Sequence, residues 1–291
     1  MNSFYGVLGS TGCRFFDPRV CSSITLRGHQ IIQQTKDWIE SLGHQVIYGD
    51  TDSVFVWIGN QKSEDESLSI GYNLADHLNK NWQQKLRNDY DISCALEVEF
   101  ETHYLKFLMP TIRNSTLGSK KRYAGIIRKN DEEQLVFKGL ESVRTDWTPL
   151  AKKFQEKLYQ LVFEDTRVEG FIQETTQAVL AGKCNRDLIY RKRLRRNIDD
   201  YHKNIPPHVQ AAKRLQGQGI HKRRGDWISY ILTTTGPEPV DEEAAELNLQ
   251  GTIAYNEYVE RQLKPVADSV LQFIGLNFDH ITAAQLPLFK D

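Results

Sequence analysis

Between residues 20 and 42, Val20, Ile24, Ile31, Ile32, Trp38, Ile39 and Leu42 recur at roughly helical intervals, and Gly43 follows as a stop. This helix feeds the stretch VIYGDTDSVFVW (residues 46–57), where two runs rich in Val, Ile and aromatics read as the strands of a hairpin. Ser63 and Glu66 have the spacing of a capping box ahead of a second helix reaching about residue 87, and its segment LADHLNKNWQQKL keeps an apolar stripe. CALEVEF then alternates like a strand, with Glu97 and Glu99 on one face. HYLKFLMP, KRYAGIIRK and EQLVFKG continue the strand-like pattern, the last two joined by a polar turn at residues 130–132. From Thr148, an N-cap followed by Pro149 at the first helical position, about a hundred residues read mainly as helices with a short strand at DWISYILTT. The pattern predicts an α+β fold: antiparallel sheet with helices up to a boundary near residue 145, then a mostly helical domain.

Composition alters this picture little. A chain of 291 residues, 40% hydrophobic and 26% charged, is ordinary material for two modest domains. Cysteines at 13, 21, 94 and 184 form no C-x-x-C pair, which favours neither a disulfide framework nor zinc and fits a reduced, cytoplasmic setting. No apolar run approaches ~18 residues and no signal-type leader opens the chain, so neither membrane spanning nor secretion is expected. The opening MNSFYGVLGSTG, apolar and broken by glycine, reads as interior sequence.

Charge matters more. The formal net charge of -1 conceals a segment, Lys183 to Arg224, where thirteen Lys and Arg stand against three Asp, a net of +10 offset by an acidic stretch from Glu238 to Glu260. A solvated helix face is the ordinary explanation of such a run. The density of YRKRLRR and the aromatic and proline punctuation of YHKNIPPHVQAAKR point instead toward a nucleic-acid backbone, with binding that weakens steeply as salt rises.

Asp50 and Asp52 stand one residue apart at the predicted hairpin tip. Two carboxylates so close repel unless a cation or proton intervenes. A solvated turn accounts for them, since Asp favours turns. So does a rigid mount for Mg²⁺, which takes one or two carboxylates and completes its shell with water and substrate phosphates.

The motifs then point to a family. YGDTDS (Tyr48 to Ser53) resembles the metal-binding motif of family B DNA polymerases, NSFYG (Asn2 to Gly6) the end of their fingers-helix motif, and KKRY (Lys120 to Tyr123) their primer-template grip, all in that family's order. Further likenesses in RFFDPR, FLMPTIR, KGLESVRTDWTPLA, YRKRLRR, PPHVQAA and TTTGPEP run almost end to end and are strongest toward a bacterial member, of which they cover the carboxy-terminal part.

The resemblance implies a partial palm, an antiparallel sheet with helices, followed by a mostly helical thumb. Residues 1–20 would end the fingers and join them to the palm, 21–145 would be palm, 146–280 thumb, and 281–291 a tail. It makes Asp52 the main metal carboxylate, Asp50 its support and Glu99 an auxiliary one, with two Mg²⁺ ions in the intact enzyme. Asn2, Tyr5, Gly6 and Thr51 would lie at the nucleotide and primer terminus, with Tyr5 beneath the nascent base pair. Primer-template DNA would meet Lys120, Lys121, Arg122 and Tyr123, and in the thumb Arg191, Lys192, Arg193, Arg195, Arg196 and His208. A strand through 120–123 would turn Lys121 and Tyr123 to one face and Lys120 and Arg122 to the other. The closing QLPLF is similar to the pentapeptide with which bacterial polymerases engage the sliding clamp, so Gln285, Leu286, Leu288 and Phe289 are its expected contacts. A tail folded back onto the thumb is the alternative.

No D-x-x-S-L-Y-P segment, from which the family takes its second metal-binding Asp, occurs in the sequence. The fingers lysine of K-x-x-x-N-S-x-Y-G would fall before residue 1. The resemblance implies a cytoplasmic, nucleoid-associated bacterial setting and dNTP as substrate of the intact enzyme, and the missing motifs imply no polymerase activity from this chain alone.

Overall fold

Asp17 starts the first long helix by accepting a hydrogen bond from the Arg19 N–H at 2.9 Å, and Pro18 occupies the first turn, where a missing N–H costs nothing. The computed structural model describes residues 2–60, 62–110, 121–144, 147–244 and 246–283, which fall into two compact units, Met1–Leu105 and Lys106–Asp291.

In the first unit a short helix α1 (Asn2–Gly9) precedes α2 (Pro18–Ser41), the hairpin of β1 (Gln45–Asp50) and β2 (Ser53–Trp57), and α3 (Glu64–Tyr90). The capping box forms as expected: the Ser63 side chain accepts from the Glu66 N–H, and the Glu66 carboxylate accepts from the Ser63 N–H at 2.8 Å. Helices α2 and α3 meet along a seam in which Trp38 packs edge-on against Trp82 at 4.8 Å and the Trp82 indole N–H donates to Thr35 Oγ1 at 3.2 Å. In the antiparallel β1–β2 ladder Val46 pairs with Val56 and Tyr48 with Phe55, leaving Ile47 as a bulge.

One expected strand does not form. Residues 92–104 join no ladder among the described residues, although their burial alternates, with Leu96 and Val98 half-buried and Glu97 and Glu99 exposed. The amide side chain of Asn79 takes the place of a neighbouring strand: it donates to Val98 O at 2.9 Å and accepts from Val98 N–H at 2.8 Å. Alternation reports the pleat of an extended chain, whereas a ladder also needs a partner backbone.

The second unit opens with a three-stranded antiparallel sheet, β3 (Lys106–Leu108), β4 (Tyr123–Lys129) and β5 (Glu132–Lys138), in sequence order. Asn130 and Asp131, with φ of 53° and 63°, make the tight turn between β4 and β5. The sheet packs Ala124, Leu135 and Phe137 against Tyr159 and Phe163 of α4 (Pro149–Phe163), which is capped by Thr148 as expected.

A larger core then gathers α4, α5 (Glu169–Leu180), α6 (Pro207–Gly217) and a second sheet of β6 (Tyr190–Arg193), β7 (Trp227–Thr233) and β8 (Gly236–Pro239). Helix α7 (Tyr255–Tyr258) runs through a π-helical turn, Val259–Leu263, into α8 (Lys264–Leu271), and α9 (Phe278–Thr282) closes the unit. The basic YRKR thus lies on an edge strand, where the sequence pattern predicts helix, because Tyr190 stacks on Tyr230 at 5.1 Å across the ladder. The fold is α+β, with small antiparallel sheets among helices.

Candidate functional site

The hairpin tip is a tight turn between paired strands. Thr51 has φ of 53°, a left-handed conformation that a β-branched residue rarely adopts, and the Asp52 N–H donates to the Asp50 carbonyl across it. The Asp50 carboxylate is half-buried and accepts from Thr51 Oγ1 at 2.9 Å, while Asp52 is exposed at the apex. The ladder resumes at once with Asp50 opposite Ser53, so the strands hold the two residues between them in place. Two carboxylates on a short rigid mount suit Mg²⁺ as part of its shell. Among the described residues, no group of three or more His, Cys, Asp and Glu side chains gathers to hold a metal ion, so Glu99 does not join the aspartates in such a group. The remaining ligands would come from water, substrate or other carboxylates.

Tyr5 lies on α1, 45% exposed, with its hydroxyl 3.1 Å from Thr25 Oγ1 on α2. Gly6 on the same helix has open space where a side chain would project. Of the remaining expected site residues, Lys120, Gln285, Leu286, Leu288 and Phe289 lie outside the described residues, as does the side chain of Asn2.

The KKRY segment departs from its expected strand. Lys121 has φ of 64° and is exposed, so the pleat begins only at Tyr123, whose ring packs on Phe107 at 5.3 Å. Arg122 turns inward and forms an ion pair with Glu141, a carboxylate only 6% exposed. Gln155 of α4 donates to the other oxygen of Glu141 at 2.7 Å and accepts from the Ser142 N–H at 2.7 Å. Nothing in the local pattern of K-K-R-Y announces this. The one available signal was the acidic Glu141 following the apolar Leu140 and two residues before Val143.

In the second sheet the cations are unequally placed. Arg191 lies over the Trp227 ring at 5.0 Å and 3.7 Å from Glu242, and the Arg193 Nε–H donates to Gly225 O at 2.6 Å. Lys192 is half-buried, and Arg195 and Arg196 are exposed. His208 departs from its expected surface role: its ring is 5% exposed and edge-on to Tyr201 at 6.5 Å. Burial, aided by the charges of Lys192 and Arg195, holds its pKa down at about 4. The groove beside β7, about 1320 Å³, is lined by Arg191, Arg214 and Lys222 but also by Glu238, Asp241 and Glu242, so it is not a uniformly cationic channel.

Sequence reasoning also missed Glu238, which sits 3% exposed beneath the TTTG turn. Burial raises its pKa, but N–H groups of Gln250 and Gly251 and hydroxyls of Thr233 and Thr235 outweigh that and hold it below the ordinary range. Gly251 is required there, since a Cβ would stand 2.7 Å from Thr235 Oγ1. No helix among the described residues is long and apolar enough to cross a membrane.

Against known proteins, the profile of DNA polymerase family B matches residues 1–274. DNA polymerase II of Escherichia coli (strain K12) is 49% identical over 99% of this chain and 37% of its own length. A DNA polymerase of Thermococcus gorgonarius is 28% identical over 94% of this chain and 34% of its own. The solved family B DNA polymerase of the hyperthermophilic archaeon Pyrobaculum calidifontis superposes with a TM-score of 0.58 at 26% identity, over 95% of this chain and 33% of that one. The chain thus spans about a third of the length of these relatives.

Proposed function

The chain belongs to DNA polymerase family B, and we propose that it supplies one portion of a template-directed DNA polymerase: the end of the fingers, the carboxy-terminal part of the palm, the thumb and a clamp-binding tail. The observation that carries this reading is the Asp50–Thr51–Asp52 tip, a left-handed turn between paired strands inside the segment that the family profile matches. Asp52, supported by Asp50, would hold Mg²⁺. With a second ion bound beside it, that site would supply Lewis-acid activation of a primer 3′-hydroxyl and charge stabilisation for its attack on the α-phosphate of a dNTP, with pyrophosphate as the leaving group.

The chain's own residues have separate tasks. Asp50 keeps Thr51 in its turn by accepting its hydroxyl, and so orients Asp52. Tyr5, half-exposed on α1, offers a ring to the nascent base pair. Lys121 and Tyr123, with Arg195 and Arg196 and more weakly Arg191, Lys192 and Arg193, meet the duplex phosphates. Because the 291 residues contain no D-x-x-S-L-Y-P segment, the metal pair needs a carboxylate from outside them, and electrostatic preorganisation is incomplete without it.

The test mixes this chain with a polypeptide carrying that motif and measures Mg²⁺-dependent primer extension. Incorporation in the mixture, and none from the chain alone, is the expected result. No incorporation in a mixture shown to assemble overturns it.

The +10 segment and the QLPLF tail favour a second reading, a non-catalytic fragment that holds DNA and the clamp. It expects binding to duplex DNA that weakens steeply with salt, and a clamp affinity at least tenfold lower when Leu288 and Phe289 become Ala. Affinities indifferent to both changes exclude it.

A further inference from the structure

The geometry points to Arg122 as a positioning residue that seats the nucleic-acid grip on helix α4, and not as a contact to phosphate. This rests on the nucleic-acid reading of the Lys121–Tyr123 segment proposed above. The segment is held from below at two points of one short stretch. Under the backbone, Gly139 (φ 63°) lies so close to Lys121 that a Cβ would collide with the Lys121 carbonyl oxygen. Under the side chain, Glu141 takes the Arg122 guanidinium, and Gln155 of α4 locks Glu141 and the Ser142 N–H together through both ends of its amide. Leu140, between the two points, is fully buried, so neither support can shift without disturbing the core.

A guanidinium already paired with a buried carboxylate offers little net charge to a phosphate. What it transmits is position: the left-handed residue Lys121 is exposed one residue before Arg122, and Tyr123 enters the sheet one residue after it.

The two possible roles of Arg122 respond oppositely to Glu141→Gln, a near-isosteric change that removes the anchor's charge. Measured on the full chain with duplex DNA across a salt series, with the melting temperature recorded, positioning predicts binding weaker by on the order of tenfold with an unchanged salt slope. Arg122→Gln should do the same. Tighter or steeper binding by Glu141→Gln means that the released Arg122 reaches phosphate, and overturns the proposal. So does a slope shallower by about 1 in Arg122→Gln, or a lower melting temperature with unaltered affinity, which marks an ordinary structural ion pair. If Arg122→Gln does not fold, the direction of the Glu141→Gln effect decides alone. Salt-independent binding by the unmodified chain overturns the nucleic-acid reading itself and this inference with it.

Discussion

The two units of the chain bury apolar side chains to very different degrees. In the first, Cys21, Ile39, Leu74, Leu78 and Trp82 are the buried apolar side chains among the described residues, while Phe15, Leu26 and Tyr72 are more than 60% exposed. Its hairpin is a two-stranded sheet, a form with little independent stability. The second unit buries a continuous core from Leu150 to Ile281. The proposed chemistry sits on the weaker unit and the proposed grip on the stronger one. Residues that meet a reaction centre are held by turn geometry and short-range hydrogen bonds, whereas residues that hold a long duplex profit from a rigid core behind them.

The contrast is broken most severely at the hairpin tip. In an assembled polymerase, Asp52→Asn should lower the primer-extension rate by on the order of 10³-fold, with little effect on the melting of this chain, because Asp52 is exposed. Extension at the normal rate would remove Asp52 from the metal site.

Aromatic truncations compare the hairpin of the first unit with the core of the second. Phe154→Ala, which empties a site 2% exposed beside Phe171, should cost about 3–5 kcal/mol in urea unfolding. Trp57→Ala, 49% exposed, should change stability by about 0.5 kcal/mol or less. Equal losses would mean that the hairpin indole is packed as tightly as a core ring of the second unit.

Acid sharpens the comparison further. His208 keeps its proton only below about 4 in the folded chain against 6.5 for an ordinary His. Between those values the unfolded state binds the extra proton, so stability falls as pH drops from 6.5 toward 4, by up to about 3 kcal/mol. His208→Gln should flatten that part of the curve; an unchanged pH profile would show that the ring titrates normally. Glu238 acts lower still: with its pKa depressed, its contribution is intact above the ordinary carboxylate value and fades as pH falls through its own.

The most local expected effect is at Asn79. Removing its amide with Asn79→Ala should cost about 1–2 kcal/mol and speed amide exchange at Val98, while leaving exchange along β7 unchanged. Uniform exchange across the chain would argue against separate units.

Much of this was readable in one dimension. Periodicity located α2 and α3, Ser63 and Glu66 marked a real capping box, Thr148 and Pro149 began α4, and the D-T-D tip lies where two β-rich runs require a turn. These features depend on neighbours within about four residues, so local sequence suffices to specify them. Family likeness was legible for the same reason, being carried by short motifs in order.

Tertiary structure alone decided the rest. Whether 92–104 became a strand depended on a partner backbone, and Asn79, on another element, stood in for it. Whether Arg122 and His208 faced solvent depended on Glu141, Gln155 and Tyr201, all more than six residues away or on a different element. Burial and ion pairing are properties of what lies opposite in space, and a charge read along the chain carries no record of which carboxylate or ring will close over it.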